Sequence, residues 1–125
     1  MQHIEYKEQV ALFEWAFYAS KQYPCLKFLY ASQAGEKFKS QAQASRAKKA
    51  GMKAGVPDIF LPHPNKEFAG LFIELKRPII KGKPKPTISD KQHEWLLYLS
   101  SVGYKAVVCY GVREAINEIQ RYINK

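Results

Sequence analysis

Residues Gly51–Pro78 read GMKAGVPDIFLPHPNKEFAGLFIELKRP, and the fold turns on how this stretch is read. It holds two short apolar runs, and each carries an acid where a buried strand ordinarily has none. In Val56-Pro57-Asp58-Ile59-Phe60-Leu61, the aspartate follows a proline and opens an Ile-Phe-Leu strand. In Leu71-Phe72-Ile73-Glu74-Leu75-Lys76, strand alternation puts Leu71, Ile73 and Leu75 on one face and Phe72, Glu74 and Lys76 on the other. A carboxylate and an ammonium in an otherwise apolar strand are costly unless something compensates them. A divalent cation is one compensation, since hard oxygen ligands suit Mg²⁺. With Asp58 on a neighbouring strand, Glu74 completes a small anionic site that has Lys76 beside it. Residues 62–70 between the runs predict a hairpin loop.

Pro57-Asp58, a spacer, then Glu74-Leu75-Lys76 resembles the signature of the PD-(D/E)XK nuclease superfamily. The wider run narrows the resemblance. Lys53-Ala54-Gly55-Val56-Pro57-Asp58, then Phe72-Ile73-Glu74-Leu75-Lys76-Arg77-Pro78, then Ser89 and Gln92 look like the VRR-NUC family. The likeness extends over nearly the whole chain, so residues 1–125 are expected to form one stand-alone domain of this type. It implies an α/β fold with a restriction-endonuclease-like core, a small mixed sheet flanked by helices. It also implies phosphodiester hydrolysis with Mg²⁺ or Mn²⁺, to which ligands of this type are suited. Asp58 and Glu74 would then ligate the metal, helped by the backbone carbonyl of Leu75. Lys76 would orient the attacking water and steady the phosphate, while Gln92 and Lys91 would position water or phosphate.

Length and composition agree with a globular domain. A chain of 125 residues with 46% hydrophobic content can bury a core and is not of disordered composition. Cys25 and Cys109 lack metal-ligand spacing and suggest buried thiols in a reducing compartment. His3, His63 and His93 are equally scattered, which argues against a zinc site. No leader-like segment opens the chain and no run approaches membrane length, so the cytoplasm of a bacterial or phage-infected cell is expected. The formal net charge of +9 points to an acidic partner. That charge is concentrated: from Gln33 to Lys91 there are thirteen Lys or Arg against five acids, two of which are Asp58 and Glu74. Phosphate backbone is the partner such a balance suits.

The remaining elements follow in chain order. Residues 5–21 predict a helix with a stripe of Ile4, Ala11, Leu12, Trp15, Tyr18 and Ala19. Glu8 falls inside that stripe. It reads either as a solvated acid at the stripe edge or as a third carboxylate for the metal, and the resemblance also places an acid on this helix. A second stripe, Tyr6, Val10, Phe13 and Phe17, is more apolar surface than one small sheet covers and suggests a homodimer contact. Leu26–Ala31 predicts a strand. In the polar turn after it, Gln33 either touches substrate or a metal-bound water or is merely solvated. Ser40 caps a second helix that stops at Gly51, where Arg46, Lys48, Lys49 and Lys53 are candidates for gripping phosphates. Residues 79–86, broken by Gly and Pro, predict a mobile basic loop in which Lys81, Lys83 and Lys85, with Arg77 before it, would clamp nucleic acid. Ser89 and Gln92 form a capping box at the start of a helix that ends at Gly103. A strand over 104–110 and a helix over 111–122 complete the order α-β-α-β-β-α-β-α.

The function this predicts is a metal-dependent DNA endonuclease. The family's stand-alone, phage-type members look like dimeric resolvases of four-way (Holliday) junctions, so branched DNA in recombination or repair is the expected substrate. Two alternatives fit the same basic sequence: a nucleic-acid-binding module without catalysis, or a subunit of a larger replication or repair assembly.

Overall fold

The structure, a computed structural model, describes residues 3–32 and 38–125. Its elements are α1 (His3–Ala19), a 3₁₀ turn (Pro24–Phe28), β1 (Tyr30–Ala31), α2 (Gln41–Lys49), β2 (Ile59–Leu61), β3 (Leu71–Lys76), α3 (Asp90–Ser101), β4 (Lys105–Tyr110) and α4 (Val112–Ile123). The α/β order is the expected one. The four-stranded sheet runs β1-β2-β3-β4, antiparallel across β1/β2 and β2/β3 and parallel across β3/β4. The 62–70 hairpin accounts for the antiparallel pair, and α3 makes the crossover that parallel β3 and β4 require. Asn65 shapes the hairpin loop, its Oδ1 accepting from the amides of Glu67 and Phe68 at 2.8 Å each.

One face of the sheet is the core. Ile59, Leu61, Leu71, Ile73, Leu75 and Cys109 point into it and meet Leu12 and Ala16 of α1 and Ala115, Ile119 and Tyr122 of α4. Leu71, Ile73 and Leu75 are buried together, as strand alternation requires. The opposite face carries Phe60, Phe72, Glu74 and Lys76, and α3 packs against its β4 side, burying Leu96 and Leu99. Among the described residues no helix is long and apolar enough to cross a membrane.

Three expectations are corrected. Leu26–Ala31 is not a strand, because Pro24 opens a 3₁₀ turn and Leu26 and Leu29, three residues apart, both turn into the core. Only Tyr30–Ala31 is extended. On α1 the buried face is Leu12 and Ala16 flanked by Phe13, Trp15 and Ala19, whereas Ile4 and Tyr18 are exposed. The 77–88 segment is irregular but anchored: Arg77 donates to the carbonyls of Pro78 and Pro84, and the Lys85 ammonium lies 4.7 Å from the centre of the Tyr110 ring. Both cysteines are free, with Cys109 buried and Cys25 only partly so.

Candidate active site

Asp58 immediately precedes β2, and Glu74 and Lys76 lie two apart on β3, so the hairpin holds all three on one face. The Leu75 amide donates to Asp58 Oδ2 at 2.8 Å, which ties the aspartate to the strand that carries the glutamate. Its backbone is fixed as well, since the Ser32 amide donates to the Asp58 carbonyl at 2.7 Å and the Ser32 hydroxyl to the Pro57 carbonyl. A strand residue turns its N–H and C=O toward the same neighbour, so the Leu75 carbonyl faces the Asp58 side too.

The hub of the site is Gln92. Its Nε2 donates to Glu74 Oε2 at 3.2 Å, and its Oε1 accepts from Lys76 Nζ at 3.2 Å and from the Ser89 amide at 2.9 Å. The Ser89 hydroxyl in turn accepts from the Gln92 amide, completing the capping box. Gln92 is therefore at once the helix cap and a hydrogen-bond partner of Glu74 and Lys76. Lys76 Nζ also sits 3.7 Å from Glu74 Oε2.

Glu74 is 2% exposed, and its Oε1 is buried without any hydrogen-bond partner. Burial first, then the charge and hydrogen-bonding of Asp58, push its pKa up to about 9; Lys76 pulls it down and Glu5 adds to the rise. A buried carboxylate that keeps an orphaned oxygen next to a second carboxylate is the environment a hard divalent cation relieves. Asp58 Oδ1 and Glu74 Oε1 are the oxygens free to hold one. The donor set fits Mg²⁺ or Mn²⁺, being all oxygen with no thiolate or imidazole.

Glu8 is used differently from the third-carboxylate expectation. Its Oε1 accepts from the Val112 amide at 2.9 Å, capping α4, whose N-cap residue Gly111 has no side chain to do so. A Cβ at Gly111 would come 3.2 Å from that same oxygen and 3.1 Å from Pro78, so the glycine makes room for the remote cap. Among the described residues no three metal-capable His, Cys, Asp or Glu side chains gather, and the anionic centre is the Asp58–Glu74 pair. The α1 acid whose charge reaches Glu74 is Glu5. Glu5 lies one helical turn before Glu8, a spacing that could have raised it from the sequence.

The predicted basic residues divide. Lys48, Lys53 and Lys91 line one cleft of about 560 Å³ with Trp95 and Tyr98, between α2 and α3. The Trp95 indole donates to the Ala54 carbonyl and docks the 52–57 loop on α3. Arg46 and Lys49 are exposed on α2, and Lys81, Lys83 and Lys85 are exposed in the 77–88 segment. Arg77 is half-buried and engaged with that segment's backbone. Gln33 lies outside the described residues.

With this geometry in place, residues 4–113 match the family described as VRR-NUC domain. A solved structure described as a VRR_NUC domain protein is similar throughout, with a TM-score of 0.78 and 26% identity, covering 99% of this chain and 91% of that one. No curated protein matches the chain.

Proposed function

The chain belongs to the VRR-NUC domain family, a nuclease-type family, and from that premise we propose that it is a divalent-metal-dependent DNA endonuclease selective for branched DNA such as a four-way junction. The observation that carries this reading is Glu74: buried, raised in pKa by desolvation and then by Asp58, and left with an orphaned oxygen beside a lysine. Asp58, Glu74 and the Leu75 carbonyl would hold Mg²⁺ or Mn²⁺, which when bound supplies charge neutralisation at the phosphate and a more acidic water.

The protein's own groups do the rest. Lys76 Nζ, fixed between Gln92 Oε1 and Glu74 Oε2, presents its remaining N–H to a phosphate oxygen or to the attacking water. Gln92 holds Lys76 and Glu74 in register and ties both to the first turn of α3. Lys48, Lys53 and Lys91 line a cleft suited to the phosphate backbone. Glu8 acts by positioning α4 and, through Gly111, the end of β3, whose Lys76 carbonyl accepts from the Gly111 amide. Val10, Phe13, Phe17 and Tyr18 line an outward groove on α1, which suits a homodimer that presents two sites to a symmetric junction. Sedimentation at micromolar concentration tests this, and a monomer would remove it.

The central test is cleavage of a labelled four-way junction beside linear duplex and single strand in Mg²⁺ or Mn²⁺. Asp58→Ala and Lys76→Ala are expected to lower the rate about 10²-fold or more. Equal cutting of all substrates would keep the nuclease and discard the junction. A folded wild type that binds DNA but cuts nothing would favour a binding module or a missing partner.

Gln92 and Ser89 separate cap from chemistry. Ser89→Ala loses the cap alone, costing about 1 kcal/mol of stability with cleavage nearly intact. Gln92→Ala should lose a similar stability and, in addition, about 10- to 100-fold in cleavage, as is typical when a residue orienting metal ligands is removed. Equal cleavage by the two variants, compared alongside their melting temperatures, would reduce Gln92 to a cap.

A further inference from the structure

The face of the sheet that carries the carboxylates also carries four aromatic rings that no other part of the site uses. Asp58 and Phe60 are alternate residues at the start of β2, and Phe72 and Glu74 are alternate residues of β3. Phe60 pairs with Phe72 in the β2/β3 register. The carboxylate pair and the phenylalanine pair are thus consecutive rungs on one surface, roughly 7 Å apart along the strands. The two phenyl rings are stacked, their centroids 4.1 Å apart at 19°. Tyr30 of β1 meets Phe60 edge-on at 5.9 Å, and Tyr104 meets Phe60 and Phe72 at 6.0 and 5.2 Å.

This cluster is built into the fold, yet it is open. A Cβ at Gly70 would come 2.9 Å from Phe60 Cε1 and 3.2 Å from its Cζ, so the glycine gives the ring its seat. Among the described elements, α3 packs against β4 and none packs over the rings on the β1–β2 side of this face. Tyr30 is 53% exposed, and Phe60, Phe72 and Tyr104 are each partly exposed. Rings placed for packing alone belong on the buried face, which here is wholly aliphatic along β2 and β3: Ile59, Leu61, Leu71, Ile73 and Leu75.

We propose that Tyr30, Phe60, Phe72 and Tyr104 form a stacking platform for unpaired bases of a DNA strand whose neighbouring phosphate lies at Asp58 and Glu74. Aromatic side chains accept any base on an open π-face, a role that falls first to the half-exposed Tyr30 because Phe60 and Phe72 stack on each other, and a chain of net charge +9 holds the accompanying backbone. A second copy of the chain is the poorer occupant. Seated on these rings, it would stand one rung from the carboxylates and crowd the phosphate out, whereas the outward groove of α1 is available for self-association. The platform adds a substrate feature to the nuclease reading and rests on it for the placing of the phosphate: the preferred DNA has unpaired bases beside the cut.

The test is equilibrium binding of the full chain in EDTA, so that cleavage plays no part. A splayed fork with single-stranded arms is compared with a blunt duplex of equal charge, using wild type, Tyr30→Leu and Tyr30→Trp. Wild type is expected to bind the fork about 10-fold tighter than the duplex. Tyr30→Leu should lose that preference without altering duplex affinity, and should lower the melting temperature only slightly, since Tyr30 is on a two-residue edge strand and gives up only its edge contact with Phe60. Tyr30→Trp should keep the preference, and its added fluorescence should be quenched by the fork alone. Equal binding of fork and duplex by wild type, or an undiminished preference in Tyr30→Leu, overturns the platform. So does a Tyr30→Leu variant whose self-association weakens while its fork binding does not, which would assign the face to a second copy. Fork preference without cleavage in any metal would leave the platform standing and remove the nuclease reading; cleavage without fork preference would do the reverse.

Discussion

Glu74→Gln is expected to abolish cleavage and at the same time to stabilise the metal-free protein above about pH 5. The sign follows from the raised pKa. Between its ordinary value of 4.5 and the folded value of about 9, the folded chain holds a proton on Glu74 that the unfolded chain has released. Stability of the metal-free wild type therefore falls as pH rises through that window, by at most ~1.4 kcal/mol per pH unit for this one group. The neutral amide has no such proton to lose, so the slope should largely vanish in the variant. A cation bound at Asp58 and Glu74, as proposed, would displace the proton, so Mn²⁺ or Mg²⁺ should raise the wild-type melting temperature more at pH 9 than at pH 5. Calorimetry of both proteins across this range, with and without Mn²⁺, reads all of this. A Glu74→Gln protein that matches wild type in pH slope and still gains stability from Mn²⁺ would sink the metal assignment.

Gly55→Ala should be nearly as damaging, although Gly55 carries no side chain. Its φ is +89°, and an added Cβ would lie 2.7 Å from the Lys91 carbonyl carbon, 2.8 Å from its oxygen and 2.9 Å from its Cβ. Two of those atoms are backbone of the first turn of α3 and cannot swing away. Left-handed strain of about 1–2 kcal/mol and overpacking of about 1–3 kcal/mol together predict a melting temperature lower by about 10 °C or more. The shift also moves Gln92 off Glu74 and Lys76, so cleavage should fall in the surviving folded fraction. Gly51→Ala is the control: φ is +103° there, but nothing lies within 4 Å of the added atom, so strain remains and the site is untouched. Equal activity losses in the two variants would mean that the contact with Lys91 does not transmit.

What was legible in the sequence was what short-range rules govern. The period-two alternation of 71–76, the Ser89–Gln92 capping box and the Ser40 cap all follow from residues within a few positions of each other. The meeting of Asp58 with Glu74 was readable because a single hairpin joins them. Leu26–Ala31 misled because an apolar run with no polar alternation suits strand and helix alike; the Leu26/Leu29 spacing after Pro24 was the discriminating signal. Glu8 was ambiguous for a different reason: its partner, the Val112 amide, is 104 residues away, and no local pattern announces a remote cap. The anchoring of 77–88 by Arg77 and the close approach of Gly55 to Lys91 likewise depend on which surfaces the fold brings together.

The joining of the chain's two ends in one core has a consequence for the order of events during synthesis. The 3₁₀ turn and β3 offer α1 partners early, but the contacts of Leu12 and Ala16 with Ala115, Ile119 and Tyr122, and that of Glu8 with Val112, form only once α4 has been made. Asp58, Glu74, Lys76 and Gln92 are all translated before α4 begins. A nascent chain therefore carries the hairpin that joins Asp58 to Glu74 and the helix that bears Gln92 before α4 packs on the sheet's other face, and contacts of such long separation form late and slowly. Packing of α4 on α1 is thus the step that completes this core, and the sheet that carries the site is backed on its aliphatic face only from that point.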